Sequence, residues 1–265
     1  FLTILSYSSS APSFSASLSA IRRSAAASLS DLPIRSGTVK LTPRISSSFS
    51  MMCTLMAVCL IASNIFTTKV FSVAGMLLTG DLLIFPVSYI LNDCISEVYG
   101  YNKARYAIWT SFTVNFLFVI FAQLVVAIPG ASFWEGGEHF NYIFGTEIKV
   151  VMASLVAFFV GSTVNAAVMS LMKRASQGRN FWFRAIVSSL AGDLADSLIF
   201  MPIVFWSVGF RKLLLMIACQ ILAKLVYEVV LLPLTQHVVK ILKDKESMDV
   251  IDDGISYNFF RILDL

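Results

Sequence analysis

The sequence is poor in charge, in histidine and in cysteine motifs. Only 14% of its 265 residues are Asp, Glu, Lys or Arg, well below the roughly 25% of a typical soluble domain. The two histidines, His139 and His237, lie far apart, and the four cysteines form no C-x-x-C pair. Neither a metal site nor a disulfide framework is therefore expected, and no cofactor is implied.

Motifs of catalysis and of nucleic-acid binding are lacking too. The sequence contains no G-x-S-x-G, no P-loop and no H-E-x-x-H. The net charge of +4 forms no basic stripe with interleaved aromatic residues, which argues against nucleic acid as a partner. The chain is accordingly expected not to be an enzyme and not to bind nucleic acid.

Apolar residues, by contrast, are abundant. They make up 57% of the chain, and 22 residues are Phe. A bilayer core takes about 20 apolar residues per helix, and the chain from residue 51 divides into stretches of that kind. We predict an all-α polytopic membrane protein with about six transmembrane helices. The predicted spans are Met51–Phe71, Leu77–Ser96, Ala104–Ile128, Val150–Met172, Phe183–Val208 and Leu213–Leu242.

The two ends of the chain differ from this membrane domain of residues 51–243. Residues 1–50 are rich in Ser and Ala, contain several Arg and include a single acid, Asp31. Such a composition is typical of an organellar transit peptide, which would place the protein in a mitochondrial or chloroplast inner membrane. A disordered cytoplasmic segment is the alternative. Residues 244–265 are expected to form a polar C-terminal tail.

Charge in the loops predicts the orientation of the spans. Basic residues concentrate in the second and fourth loops and after the sixth span, whereas the third loop carries Glu135 and Glu138. This alternation fits six spans with both chain ends on the positive side of the membrane. Arg211 and Lys212 in the fifth loop depart from the pattern.

Ionisable side chains inside the predicted spans are the most informative residues. Each costs at least about 2.5–3.5 kcal/mol at a helix centre, so such groups normally face a cavity or a partner. Acids outnumber bases, so internal pairing cannot neutralise them all. Some must be protonated, must meet a basic residue such as Arg184 or Arg105, or must bind a cationic or donor-rich solute. The acids are Asp93, Glu97, Asp193, Asp196 and Glu228, and the bases are Lys69 and Lys224.

Spacing predicts which of these groups share a helix face. Asp93 and Glu97 are four residues apart, and Asp193 and Asp196 are three apart, so the members of each pair lie on one face. The two aspartates of the fifth span have apolar sequence on both sides, which favours a functional role. Glu97 has a simpler alternative, which is solvation at the membrane interface.

Lys224 and Glu228 form the remaining close pair. They lie four residues apart in the sixth span, so they are expected to be able to pair with each other. Such a pair can contribute to a solute site, or it can serve only to fix helix packing.

A long string of residues in the second span resembles a known family. Residues 85–101 read FPVSYILNDCISEVYGY and are followed by Ala104-Arg105. This string is similar to the signature of the queuosine precursor transporter family, also called vitamin uptake transporters, and the resemblance covers about residues 51–243. Further matching positions are Asn64, Lys69, Trp109, Arg184, Ser188, Gly192, Asp196, Phe200, Lys224 and Pro233.

The resemblance implies a six-helix transporter that moves 7-deazaguanine precursors of queuosine or the base queuine. A guanine-like edge presents two adjacent N–H donors that a carboxylate can accept, and its ring can stack on an aromatic side chain. The expected partners are this small base and the lipid bilayer, while the oligomeric state stays open. The alternative is a substrate-binding subunit that needs a separate ATPase module.

Residue types and resemblance together give a set of candidate substrate-binding residues. We expect Asp93, Asp193 and Asp196 to converge on one cavity between helices, with Asn64 and Lys224 nearby, because acids facing lipid would be costly. The full set is Asn64, Lys69, Tyr89, Asn92, Asp93, Glu97, Arg184, Asp193, Asp196, Phe200, Lys224 and Glu228.

Overall fold

The protein is a bundle of membrane-spanning helices, as the sequence predicts. The structure, a computed structural model, describes residues 46–73, 76–145 and 148–261. Six helical stretches among these residues are long and apolar enough to cross a membrane. The elements are α1 (Ser47–Phe66), β1 (Val70–Val73), β2 (Met76–Thr79), α2 (Phe85–Tyr99), α3 (Tyr101–Ala127), α4 (Gly137–Phe144), α5 (Ile148–Ser176), α6 (Phe181–Phe205) and α7 (Phe210–Glu246).

The first span begins earlier than the hydropathy indicates. α1 starts at Ser47 rather than Met51, because the Ser46 hydroxyl accepts a hydrogen bond from the backbone N–H of Phe49 at 3.1 Å. A serine in this position satisfies one of the free N–H groups at a helix start. The segment predicted to be a transit peptide lies, up to residue 45, outside the described residues.

A short hairpin separates the first two spans. α1 ends at Phe66, and β1 and β2 then pair antiparallel, with Val70 opposite Thr79. A 3-10 turn follows, so the α-helical part of the second span starts only at Phe85. Pro86 occupies its first turn, where the missing N–H of proline costs no helical hydrogen bond.

Two glycines allow α5 and α6 to approach each other closely. A Cβ atom added to Gly192 on α6 would lie 2.8 Å from Cβ of Asn165 and 2.9 Å from the carbonyl oxygen of Gly161, both on α5. It would also lie 2.7 Å from Cε1 of Tyr89, so α2 packs over the same crossing. Small residues commonly make such contacts between membrane helices.

Gly192→Ala should therefore lower the free energy of unfolding by about 1–3 kcal/mol, the usual cost of overpacking a tight contact. Thermal unfolding of the detergent-solubilised protein measures the change. Gly137→Ala is the matched control, because its added Cβ would meet only Trp134 at an ordinary 3.8 Å. A Gly192→Ala variant as stable as wild type would show that this crossing is loosely packed.

The chain after α7, expected to be a polar tail, packs back onto the helix ends. The buried carboxylate of Asp252 accepts hydrogen bonds from the backbone N–H of Tyr101 at 2.9 Å and from the hydroxyl of Ser170 at 2.5 Å. Tyr101 is the first residue of α3, where a negative charge is favourable. Gly100, the single residue between α2 and α3, has a φ of 82°, which favours glycine.

The following residues of the tail are held by side chains of α3. Arg105 donates to the carbonyl oxygens of Ser256 and Asn258 at 3.2 and 2.7 Å. The indole N–H of Trp109 donates to the carbonyl oxygen of Phe259 at 2.8 Å. The described part of the tail is thus a folded cover over one end of the bundle.

That end also gathers most of the basic loop residues, and we call it the basic end. It holds the start of α1, the α2–α3 and α5–α6 connections and the C-terminal tail. Contacts establish the grouping: Ser46 lies 3.3 Å from the Tyr99 hydroxyl, and both Lys173 and Lys243 contact Glu97. The predicted alternation of basic and acidic loops therefore matches the two ends of the bundle.

Candidate functional site

A cavity of about 610 Å³ lies in the half of the bundle away from the basic end. This volume is within the range of small-molecule sites, about 300–1,000 Å³. The second half of α1, the start of α2, the second halves of α3 and α6 and the first half of α7 form most of its wall. The polar side chains along this mainly apolar wall are Ser63, Asn64, Thr67, Thr68, Thr79, Asp81, Gln123, Ser154, Asp196, Gln220 and Lys224.

An ion pair marks the deep end of the cavity. The ammonium of Lys224 lies 2.8 Å from Oδ2 of Asp196 and 3.4 Å from Oδ1 of Asp193. Asp196 and Lys224 line the cavity, whereas Asp193 is fully buried and does not. The predicted pairing of Lys224 with Glu228 is wrong, because the ammonium reaches across to α6 instead of along its own helix.

Aromatic rings lie beside this pair. Lys224 is 4.3 Å from the centroid of the Phe85 ring, and both Phe85 and the predicted Phe200 line the cavity. Phe85 was not predicted to be a site residue, although it is the first residue of the string that resembles the family signature. A planar solute at the Asp196 carboxylate would thus find faces for stacking.

A polar cluster on the opposite wall contains the predicted Asn64. Its amide donates to Oδ1 of Asn115 at 3.1 Å, and its carbonyl oxygen accepts from the hydroxyl of Ser154 at 2.9 Å. These bonds tie α1 to α3 and α5. Asn115 and Ser154 were not predicted, since single polar residues in a span are common and carry little signal.

Lys69 and Tyr89 are two of the predicted residues that lie outside the cavity. Lys69 is exposed, in the turn after α1, and takes no part in the wall. Tyr89 is buried in the α5–α6 crossing, and its hydroxyl has no hydrogen-bond partner among the described residues. Tyr89 is still near the site, because both Tyr89 and Asp196 pack against Gly161.

A second polar layer joins α2 to α5 beyond the cavity. Asn92 donates to Oδ1 of Asn165 at 2.7 Å and to the carbonyl oxygen of Ser162 at 3.0 Å. Asn165 donates in turn to Oδ1 of Asp93 at 3.0 Å. Asp93 and Glu228 line a separate small pocket of about 10 Å³, so the expected convergence of Asp93 on the main cavity is wrong.

Buried ion pairs close the basic end. Arg184 donates to both carboxylate oxygens of Glu97, at 2.6 and 3.0 Å, and Lys243 donates to one of them at 2.7 Å. Lys173 lies 3.9 Å from the same oxygen. Glu97 and Arg184 are each about 1% exposed, so the alternative of a solvated Glu97 is wrong. We call these four residues the Glu97 cluster.

The tail adds a carboxylate to this cluster. Asp249 lies 2.9 Å from the ammonium of Lys243 and is also paired with Lys173. Partial burial alone would raise the pKa of Asp249, but hydrogen bonds from these two lysines outweigh it and hold the pKa below its ordinary value. The tail thus ties α5 and α7 together at the basic end.

The site residues therefore fall into three layers along the bundle: the cavity with the Asp196–Lys224 pair, the Asn92–Asn165–Asp93 layer and the Glu97 cluster. The cavity thus lies in one half of the bundle, and the closed Glu97 cluster lies in the other.

Comparisons with known proteins agree with this architecture. Residues 79–238, more than half of the chain, match the family described as "Putative vitamin uptake transporter". The chain is 26% identical over 149 residues to a "Probable queuosine precursor transporter" of Bacillus subtilis, covering 56% of this chain and 65% of the relative. It is 25% identical over 148 residues to a "Queuosine precursor transporter" of Escherichia coli, covering 55% of this chain and 63% of the relative.

The matched segments thus cover slightly less than two thirds of either relative's length. No solved structure matches the chain. The family match confirms the resemblance seen in the second span, and its members are transporters rather than enzymes. The chain belongs to the vitamin uptake transporter family and is a multi-pass integral membrane protein.

Proposed function

We propose that this protein carries 7-deazaguanine bases, either queuosine precursors or queuine, across its membrane, and that Asp196 is the recognition carboxylate. The observation that carries the proposal is the buried Asp196–Lys224 pair at the deep end of a cavity large enough for such a base. The names of the two relatives, from Bacillus subtilis and Escherichia coli, support the substrate class.

The chemistry of the pair suits a guanine-like solute. The Asp196 carboxylate can accept the two adjacent N–H donors of the base, while Lys224 keeps its contact with Asp193. An adenine-like base lacks this donor pair and would leave the carboxylate unsatisfied, and sites built around such hydrogen bonds reject the mismatched analogue strongly. Phe85 and Phe200 offer apolar faces for the ring.

Uptake by the purified protein in liposomes tests the proposal. Radiolabelled queuine should enter the vesicles without any ATPase module. Unlabelled 7-aminomethyl-7-deazaguanine and guanine should compete, whereas adenine should not. Transport that adenine inhibits as well as guanine does would contradict recognition by a carboxylate. Binding without transport would favour a substrate-binding subunit of a larger transporter.

We further propose an organellar inner membrane as the location of the protein. The support is the composition of residues 1–50, which are basic, rich in Ser and poor in acids. Fusing these residues to a fluorescent protein should direct it to mitochondria or chloroplasts. Replacing Arg22 and Arg23 with Glu should abolish import, and an unchanged distribution would refute the transit role.

A further inference from the structure

Glu228 is a buried acid that the proposed substrate site does not use. It is 7% exposed, and neither of its carboxylate oxygens has a hydrogen-bond partner among the described residues. An ionised carboxylate without a cation or donor is costly inside a membrane, whereas the neutral acid is much cheaper.

Within the described part of the chain, Lys224 is the one cation recorded beside Glu228. Its ionisable neighbours are Asp93 and Tyr89 on α2, Asp193 on α6 and Lys224 on its own helix. Lys224 is already engaged by Asp196 and Asp193. Glu228 and these neighbours therefore include more acids than Lys224 can neutralise.

Donors that could stabilise an anion go to Asp93 instead. Asp93 accepts from Asn165 at 3.0 Å and from the hydroxyl of Ser189 at 3.4 Å. Ser189 also lies within hydrogen-bonding reach of Glu228, but the geometry of its hydroxyl directs the bond to Asp93. Of the two acids, Asp93 is thus better suited to remain an anion and Glu228 to hold a proton.

Both acids line the small pocket of about 10 Å³, which is near the size that holds a single water molecule. Such a pocket has no room for an organic solute. The unpartnered carboxylate of Glu228 faces it together with Asp93 and Ser189. These features fit a site for a proton that is passed through water.

We propose that Glu228 is a proton-binding site and that transport by this protein is coupled to a proton, an inference whose coupling part rests on the proposed function. The Glu228 carboxylate binds a proton to form the neutral acid and releases it on the other side of the membrane. With the proton bound, Glu228 is neutral. Glu228 and its neighbours can then rearrange together with the base, and no unpaired anion moves through the bilayer core.

Infrared spectroscopy tests the proton site without any substrate. Wild-type protein in a detergent without ester groups at neutral pH should show the C=O stretch of a protonated carboxylic acid, and Glu228→Gln should lose it. Asp244→Asn, an exposed acid on the same helix, is the matched control and should keep the band. If Glu228→Gln shows the same band as wild type, Glu228 is not the proton-binding site.

Liposome transport tests the coupling. With the membrane potential held at zero, an inward proton gradient should concentrate queuine about 10-fold per pH unit in wild type if one proton accompanies each base. Glu228→Gln should lose this accumulation but retain exchange of labelled for unlabelled queuine, and Glu228→Asp should keep both. Gradient-driven accumulation by Glu228→Gln would overturn the coupling.

If the proposed substrate is wrong, the transport results differ from those expected when only the proton coupling is wrong. Wild-type protein would then neither accumulate nor exchange queuine, which would refute the substrate and with it the coupling to that substrate. The infrared comparison would still decide whether Glu228 binds a proton, because it needs no solute.

Discussion

Replacing Asp196 with Asn should lower uptake of 7-deazaguanine bases by roughly 10- to 150-fold while the amount of protein in the membrane stays normal. The amide keeps the size of the carboxylate but turns a donor toward the donors of the base. One lost charge-assisted hydrogen bond costs about 1.5–3 kcal/mol, which corresponds to that range. Initial uptake rates in proteoliposomes, normalised to protein content, measure the effect.

Folding should survive this change because Lys224 is not left without an anion. Its ammonium remains 3.4 Å from Asp193 and over the ring of Phe85. A neutral amide is also cheaper than an anion to hold in the membrane. The predicted defect therefore lies in transport and not in stability.

Glu135→Gln provides the control for Asp196→Asn. It makes the same chemical change at an exposed position between α3 and α4 and should leave uptake unchanged. Normal uptake by Asp196→Asn would refute its role in recognition. A loss of the protein from the membrane would instead show that the pair with Lys224 is needed for folding.

The six spans could be predicted because each one leaves a long apolar run in the sequence. Their ends could not, since they depend on local bonds such as the Ser46 cap of α1. The hairpin between the first two spans was not predicted, for a related reason. Its strands are as apolar as a membrane helix, and hydropathy alone cannot distinguish the two.

Spacing identified the important acids but not their partners. Residues four apart share a helix face, but the pair that this spacing predicted, Lys224 with Glu228, does not form. Which neighbouring helix that face meets depends on packing, and in the structure it meets the part of α6 that carries Asp193 and Asp196. Lys224 therefore pairs with Asp193 and Asp196, and Glu228 is left in its own pocket.

The cover over the basic end could not be predicted either. Asp249 and Asp252 lie in a polar segment that is typical of a solvated tail. Their partners come from positions far away in the chain, namely Lys173 and Ser170 on α5 and the start of α3 at Tyr101. Such pairings become visible only when the helices are in place.

The Glu97 cluster should be the most sensitive point for stability. Glu97→Leu removes the carboxylate that serves Arg184, Lys243 and, more distantly, Lys173. Removing one partner of a buried ion pair leaves an uncompensated charge and costs about 3–5 kcal/mol. Thermal unfolding of the purified protein should show a correspondingly lower melting temperature. The exposed ion pair of Arg174 with Asp253 is the control for this buried cluster.

Arg174→Met should cost less than about 1 kcal/mol, because exposed ion pairs contribute little. The double variant Glu97→Leu/Arg184→Met gives the sharper test. The double variant removes the buried charges of Glu97 and Arg184 together, and Lys243 keeps its pair with Asp249 at 2.9 Å. The double variant should therefore be more stable than Glu97→Leu. The free energy of unfolding lost by the double variant could instead equal the sum of the losses in Glu97→Leu and Arg184→Met. Glu97 and Arg184 would then contribute to stability independently. The basic end would then be closed by the tail rather than by this pair.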